Sequence, residues 1–342
     1  MYLLRWLGVA VPALLGFAWS GTALAGATLD GVKSRGVVTC AANTGLAGFG
    51  MPDQQGDYKG LDADTCRAVA AAVFGDAKKV KFVPTTTQQR FTVLQSGEAD
   101  ILTRNTTWTA LRDTEQGLNF APVTYYDGQG FMVAKKTGIK GAKELDGATI
   151  CVQPGTTTEL NLADYFRTNH MTFKPLVVEK LAEVENAFFS GRCDAYTTDR
   201  SGLAATRAGK ASNPDDYVIL PEIISKEPLA PAVRHGDDEW FDIVKWTIYA
   251  MIGAEEKGIT SASVDEALKS DDPDVKRMLG VTPGIGKALH LDEKWAYNVI
   301  KQVGNYGEVF ERNVGSKTPL KLERGINALW TNGGLMYAMP FR

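Results

Sequence analysis

Polar side chains in three segments of this 342-residue chain could together hold a small molecule that carries both charges. Arg112 ends the polar segment 104–112, and its planar guanidinium can grip a carboxylate through two parallel hydrogen bonds. Thr156 and Glu159 have the spacing of a capping box, which predicts a helix N-terminus whose free amides attract an anion. Asp199 could accept an ammonium group. The combination predicts a zwitterion site.

Each of these features also has an ordinary structural interpretation. An arginine in a polar loop is commonly solvated, a Thr and Glu pair can simply cap its helix, and an aspartate at a strand end is often another cap. The functional interpretation therefore requires the three segments to meet at one place in the fold.

Strand and helix patterns alternate in the first half of the chain and again in the second half. Cys66, Val69, Ala70 and Val73 have the spacing of an amphipathic helix, and Gly75 is placed to end it. The βαβαβ order of each half predicts an α/β lobe with a parallel sheet. The predicted strands are 37–42, 80–83, 100–103, 148–153, 173–178 and 193–197, and the helices are 61–74, 87–96, 157–169 and 181–190.

The two halves also have identical residues at equivalent positions. Residues 96–103 and 190–197 match at Ser, Gly, Asp and Thr in one register, which indicates a pseudo-repeat, although common turn chemistry would give the same match. Ligands of open parallel sheets bind beyond the carboxyl ends of the strands. Because each polar segment follows a predicted strand, all three are expected to reach a cleft between the lobes.

Composition and the N-terminal residues narrow the class of protein. The chain is 44% hydrophobic and 23% charged, as folded globular proteins are, and its net charge of −3 argues against nucleic acid as a partner. Arg5, an apolar stretch over 6–19 and an A-x-A end at Ala25 predict a signal peptide over 1–25. The apolar stretch is short for the roughly 20 residues that a membrane span needs. The mature chain is therefore expected outside the cytoplasmic membrane.

Cysteine and histidine usage argues against metal and redox chemistry. The chain has four cysteines, which allow three disulfide pairings, and no C-x-x-C spacing suggests zinc or thioredoxin-type chemistry. The three histidines are scattered, so neither a metal cluster nor a catalytic triad is indicated. We expect no cofactor and no bound metal.

The segment 100–112 looks like the carboxylate-binding segment of the periplasmic amino-acid-binding proteins of ABC uptake systems. Residues 60–64 are similar to the G-F-D-x-D motif of that family, with Leu61 in place of the common Phe, and residues 155–157 are similar to its G-T/S-T loop. Within solute-binding protein family 3, the mature chain resembles the general L-amino-acid-binding branch from end to end. The characteristic segments are 105–108, 118–120, 125–130, 196–202 and 333–337.

The resemblance implies a two-lobed α/β fold of the periplasmic binding protein type II, with parallel-sheet lobes joined by two crossings near 126–131 and 222–233. Lobe one would comprise 26–127 plus 226–342, and lobe two 128–225. A helical C-terminal extension on lobe one is expected to follow a helix at 240–254, with helices over 295–310 and 320–330. A disulfide between lobes would lock the hinge, so the favoured pairing joins Cys40 to Cys66 and Cys151 to Cys193.

The resemblance also assigns roles to single residues. Asp199 would bind the α-ammonium group, and Phe49 is a candidate wall for the ligand side chain. Arg104 either turns outward or favours acidic and amide side chains. The ligand carboxylate would be bound by Arg112 with backbone amides or side chains at Asn105, Thr107 and Thr157.

The implied function is periplasmic capture of free L-amino acids, with broad specificity that includes polar and acidic side chains. A monomer without a cofactor would deliver the ligand to a membrane ABC permease. The alternative is an exported lyase of the cyclohexadienyl dehydratase type, which would reuse the carboxylate clamp and add a general acid. No candidate acid distinct from the ammonium acceptor is visible in the sequence, which favours the binding protein.

Overall fold

The computed structural model describes residues 26–342, and the predicted signal peptide at 1–25 lies outside the described residues. Strands and helices alternate along most of this chain. In chain order the strands are β1 (Val38–Ala42), β2 (Met51–Pro52), β3 (Tyr58–Lys59), β4 (Val80–Pro84), β5 (Ile101–Leu102), β6 (Leu118–Phe120), β7 (Tyr125–Asp127), β8 (Gln129–Ala134), β9 (Thr149–Val152), β10 (Lys174–Val177), β11 (Ala195–Asp199), β12 (Tyr217–Ile219), β13 (Glu227–Leu229) and β14 (Ala232–Arg234). The α-helices are α1 (Ala27–Arg35), α2 (Leu61–Phe74), α3 (Arg90–Gln95), α4 (Ala110–Thr114), α5 (Thr157–Thr168), α6 (Leu181–Phe189), α7 (Arg200–Lys210), α8 (Asp238–Glu256), α9 (Val264–Ala267), α10 (Pro273–Met278), α11 (Ile285–Ala288), α12 (Trp295–Gln302) and α13 (Tyr306–Asn313).

Ten of these strands form two five-stranded sheets, and each of the two is the centre of one lobe. The first has the order β4-β1-β5-β14-β6, and the second has the order β10-β9-β11-β8-β12. In each sheet the three predicted strands pair in parallel, as expected. Further strands that the sequence did not predict join both sheets in antiparallel pairs, β14 and β6 in the first and β8 and β12 in the second, so each sheet is mixed.

These antiparallel strands have a topological cause. Strand β8 follows the first crossing directly and β14 follows the second, so each crossing enters its sheet against the direction of the parallel strands. Strands β6, β12 and β14 have only three residues each, too few to show a period in the sequence.

The repeated Ser-Gly-x-x-Asp letters have the same structural role in both lobes. Asp100 accepts a hydrogen bond of 2.8 Å from the backbone N–H of Thr39, and Asp194 accepts one of 2.8 Å from that of Thr149. Each aspartate therefore joins the start of its strand to the neighbouring parallel strand. The match reflects equivalent positions in two similar lobes.

The two crossings pair with each other between the sheets. Strand β7 in the first crossing and β13 in the second form a two-stranded antiparallel sheet, in which Asp127 lies opposite Glu227 and Tyr125 opposite Leu229. A two-stranded ribbon can bend where a five-stranded sheet cannot, so this pair is the natural place for a hinge.

Helix α8 and the C-terminal segments pack on lobe one. Helix α12 contacts both α2 and α8, and its Trp295 is buried. The predicted helix over 295–310 is divided into α12 and α13, because Gly304 has a φ of +96° and Asn305 begins α13 with a capping box. The α-helix predicted over 320–330 is wrong, because Lys321 and Gly325 have positive φ values. That segment contains a short 3₁₀ turn at Gly325–Asn327.

Each of the two disulfides joins cysteines of the same lobe, and neither crosses between the lobes. Cys40 of β1 is bonded to Cys66 of α2, and Cys151 of β9 is bonded to Cys193, which precedes β11. This is the pairing that the hinge argument favoured, and it leaves the lobes free to move relative to each other. Among the described residues, no helix combines the length and apolar character that a membrane crossing requires.

Candidate functional site

A narrow cleft lies between the two lobes. Loops at the carboxyl ends of the parallel strands supply most of its walls, as expected for open α/β sheets. The lobe-one wall consists of Asn43, Leu46, Thr87, Arg90, Arg104, Asn105 and Thr107. The lobe-two wall consists of Gln153, Thr156, Thr157, Thr158, Leu181, Tyr196, Thr198, Asp199 and Gly202.

The loop after β5 is held in place by buried polar groups. Asn105 has a φ of +28°, and its backbone N–H donates to the Asp62 carboxylate at 2.7 Å. The side-chain amide of Asn43 donates to Asn105 Oδ1 at 3.0 Å. Burial raises the pKa of Asp62 to about 7, against the hydrogen bond from Asn105 and the charge of Arg104. Asp62 thus fixes the backbone from which the neighbouring cleft residues project.

Two of the predicted arginines are buried at this wall. Arg104 lines the cleft and donates from Nε to Thr85 O at 2.9 Å, so its side chain turns inward. Arg112 lies beside the cleft wall, where its Nη1 donates to Thr107 O at 2.9 Å and its guanidinium stacks over Phe91. Burial lowers the pKa of each arginine to about 10, and nearby carboxylates oppose that shift.

Arg90 is a cleft residue that the sequence interpretation missed. It is 3% exposed, donates to Thr106 Oγ1 in its own lobe at 3.5 Å and to Gly155 O in the other lobe at 3.2 Å, and its Nε has no partner. Burial and the charges of Arg112 and Arg104 lower its pKa. One signal was available: strand β4 ends at the same sheet edge as β5, so the segment after it must also reach the cleft.

The lobe-two wall begins with the capped N-terminus of α5. Thr156 Oγ1 accepts from Glu159 N at 3.1 Å, as the predicted capping box requires. The Glu159 carboxylate accepts instead from Gly155 N at 3.0 Å, which lies one residue further out than the box predicts. Gly155 has a φ of +68°, which lets the loop turn tightly against lobe one. Thr157 then lies with its Oγ1 3.3 Å from Thr107 Oγ1, across the cleft.

Asp199 ends β11, immediately before α7, and is the acidic residue of the cleft lining. Burial raises its pKa, and the charges of Asp127 and Glu227 raise it further, while a hydrogen bond from Asn105 and the charge of Arg90 act in the other direction. A cation placed beside Asp199 would favour its charged form. The group is therefore suited to accept an ammonium ion.

Phe49 is not among the residues that line the cleft. It is fully buried in the lobe-one core, where it packs edge-on against Tyr125 with ring centroids 5.4 Å apart. The Phe49 carbonyl accepts hydrogen bonds from the backbone N–H groups of Asp62 at 3.0 Å and Ala63 at 3.3 Å, and Gly60 passes so close that a Cβ there would lie 2.1 Å from the same oxygen. Leu46 is the apolar side chain from this loop that lines the cleft.

Glu227 is the second residue that the sequence interpretation missed. It lies on β13, is 1% exposed, and accepts hydrogen bonds from Thr107 Oγ1 at 2.5 Å and Thr157 Oγ1 at 2.8 Å. No motif marked it, because its partners lie 120 and 70 residues away along the chain.

Comparison with known proteins places this geometry in a family. Residues 38–258 match the bacterial extracellular solute-binding proteins, family 3. The chain belongs to that family. AapJ, a general L-amino acid-binding periplasmic protein of Rhizobium johnstonii, is 60% identical over 98% of this chain and 97% of its own. BztA, a glutamate/glutamine/aspartate/asparagine-binding protein of Rhodobacter capsulatus, is 57% identical over 98% of this chain and 97% of its own.

A solved structure of a family relative shares the architecture. The periplasmic binding protein of an ABC transporter from Brucella ovis, with glutathione bound, matches with a TM-score of 0.90 and 57% identity, over 92% of this chain and 99% of that one. The predicted two-lobed α/β fold of periplasmic binding proteins is confirmed by this match. The chain is a periplasmic solute-binding protein of the amino-acid ABC transporter type, and the lyase alternative is not favoured.

Proposed function

We propose that this member of the family binds one free L-amino acid between its lobes and delivers it to a membrane ABC permease. The observation that carries the proposal is the charge arrangement of the cleft: buried arginines face it from lobe one, and Asp199 faces it from lobe two. A zwitterion bridges the two walls. Because it contacts both lobes only in the closed state, it binds that state more tightly and shifts the hinge equilibrium toward it.

The residue roles follow from the same arrangement. Asp199 accepts the α-ammonium group, and Arg112 provides the positive charge for the α-carboxylate at the lobe-one wall. Asn105, Thr107 and Thr157 surround that carboxylate, and two of them are already within 3.3 Å of each other across the cleft. Because Phe49 lies in the core, the apolar wall of the side-chain pocket is assigned to Leu46.

Arg90 and Arg104 select the ligand side chain. Both line the cleft with guanidinium groups, and Arg90 retains an unpartnered buried N–H. A carboxylate or an amide oxygen satisfies these donors, whereas an apolar side chain leaves them unpaired at a cost of about 1–3 kcal/mol. Glutamate, aspartate, glutamine and asparagine are therefore the preferred ligands within a broad range. The Rhodobacter relative BztA, a glutamate/glutamine/aspartate/asparagine-binding protein, is named for the same four amino acids.

Closure takes place about the paired crossings β7 and β13. We assign 26–127 plus 226–342 to lobe one and 128–225 to lobe two, because this division places the two crossings at the boundary. Each disulfide then lies inside one lobe and leaves the hinge unconstrained. The working unit is a monomer, since one chain supplies both walls of the cleft.

A thermal-shift panel with the twenty L-amino acids tests the function. At a ligand concentration of 100 Kd, binding to the folded state adds about 2.7 kcal/mol to the free energy of unfolding. We expect stabilisation by the L-amino acids with acidic and amide side chains, and none by their D-enantiomers. Absence of stabilisation by all twenty, or turnover of prephenate or arogenate by the same preparation, would overturn the proposal.

A further inference from the structure

Glu227 collects hydrogen bonds from both lobes and from the hinge. Its Oε2 accepts from Thr107 Oγ1 at 2.5 Å and Thr157 Oγ1 at 2.8 Å, and its Oε1 accepts from Asn161 Nδ2 at 2.7 Å and Ser225 Oγ at 2.5 Å. All four lone-pair directions of this buried carboxylate are thus used.

The four donors lie on three different parts of the molecule. Thr107 belongs to the loop after β5 of the first sheet, whereas Thr157 and Asn161 belong to the first turns of α5 beside the second sheet. Ser225 lies in the second crossing, two residues before Glu227. Glu227 can reach both lobes only when they are closed on each other. Opening the cleft must therefore break its hydrogen bond to Thr107 or its hydrogen bonds to Thr157 and Asn161.

The number of hydrogens limits what the two threonines can do at once. A threonine hydroxyl has a single hydrogen to donate. Both hydroxyls lie within hydrogen-bond distance of Glu227 Oε2, and a carboxylate oxygen is a stronger acceptor than a hydroxyl oxygen, so both hydrogens are donated to Glu227 rather than between the threonines. Neither hydroxyl then has a hydrogen left for the carboxylate of an amino acid in the cleft.

We propose that Glu227 is a positioning residue that latches the closed cleft, and that the hydroxyls of Thr107 and Thr157 serve this latch instead of the ligand. The α-carboxylate is then bound by backbone N–H groups at these two positions and by the guanidinium of Arg112. Arg112 also lies near enough to Glu227 for their charges to attract, and its Nη1 donates to the backbone carbonyl of Thr107. This inference rests on the proposed function and specifies the atoms that carry it out.

The test combines Glu227→Gln, Thr157→Val and the double variant. Glutamine keeps the shape of Glu227 but removes its charge and replaces one acceptor oxygen with an NH2 donor, so the four donors no longer all find an acceptor. We expect each single change to weaken glutamine binding about 10- to 100-fold. We expect the double variant to bind little more weakly than either single variant, because residues that act through one interaction are not additive.

Small-angle scattering without any amino acid provides a second readout. Both single variants should show a larger radius of gyration than the wild type, because the closed form has lost its latch. This measurement does not depend on the identity of the ligand, so its failure is distinguishable from failure of the proposed function. Thr107→Val should reproduce both effects from the lobe-one side.

Glu185→Gln is the matched control. Glu185 is also buried and accepts from a threonine hydroxyl, Thr206 Oγ1, at 2.9 Å, but both residues lie in lobe two. This variant should lower the melting temperature and leave affinity and dimensions unchanged. Wild-type affinity and dimensions in Glu227→Gln, or additive losses in the double variant, would overturn the proposal.

Discussion

Replacement of Asp199 by asparagine tests the electrostatic basis of ligand capture. Asparagine keeps the size of the side chain and removes the charge that faces the ammonium group. Asp199 is 6% exposed, so little solvent replaces the lost attraction. Removing one partner of a buried charge pair costs about 2–5 kcal/mol. Asp199→Asn should therefore weaken glutamine binding about 10²- to 10³-fold at pH 8.

Because the pKa of Asp199 is raised, ligand binding is coupled to the release of a proton. Burial and the charges of Asp127 and Glu227 favour its protonated form in the unliganded cleft, and an ammonium group favours the ionised form. Ligand binding must then release a proton whenever the pH lies below the raised pKa. Affinity of the wild type should fall about tenfold for each pH unit below that pKa, while that of Asp199→Asn should remain flat.

Isothermal titration calorimetry in two buffers measures both quantities. Phosphate and Tris differ in ionisation enthalpy, so the difference between the observed heats gives the number of protons released. Asp194→Asn is the control, since Asp194 lies in the same lobe and bonds to Thr149 N rather than facing the cleft. Wild-type affinity in Asp199→Asn, or proton release unchanged by it, would refute the assignment.

Two further predictions concern the lobe-one wall. Arg90→Leu should lower the affinity ratio of glutamate to alanine about tenfold or more in competitive titration, because the buried guanidinium is a donor for the side-chain carboxylate; an equal loss for both ligands would contradict this role. Asp62 has a folded pKa raised to about 7, so the folded state binds a proton that the unfolded state releases, and stability falls as pH rises toward that value. The free energy of unfolding should decrease by about 2–3 kcal/mol from pH 5 to pH 8 through this residue. Asp62→Asn should remove that decrease in urea titrations, and an unchanged pH slope would contradict it.

Local chemistry made much of this molecule predictable. The helix of α2 ends at Gly75, which has a φ of +67°, as its position in the amphipathic pattern predicted. Thr156 caps α5 through a contact three residues away in the chain. The parallel strands of each lobe follow from short apolar runs that alternate with segments of helical period. Such features depend on neighbours within a few residues, and one sequence contains all of that information.

Reasoning from local sequence patterns gave wrong predictions where the conformation depends on distant parts of the chain. The segment 320–330 has helix-compatible letters, but its conformation depends on contacts outside it. Asn327 exchanges two hydrogen bonds with the backbone of Tyr126 in the first crossing, at 2.6 and 3.0 Å. Phe49 has an aromatic side chain suited to a pocket wall, but its ring packs against Tyr125 in the lobe-one core, 76 positions away in the sequence.

The sequence by itself determined the two α/β lobes, the positions of the polar loops at their strand ends and the family to which these motifs belong. The tertiary structure alone decided which side chains face one another across the cleft. Glu227 meets Thr107 and Thr157 over separations of 120 and 70 residues, and Arg90 reaches Gly155 over 65. Contacts between residues so far apart in the sequence depend on the angle at which the two lobes close about the hinge. No local sequence pattern determines that angle.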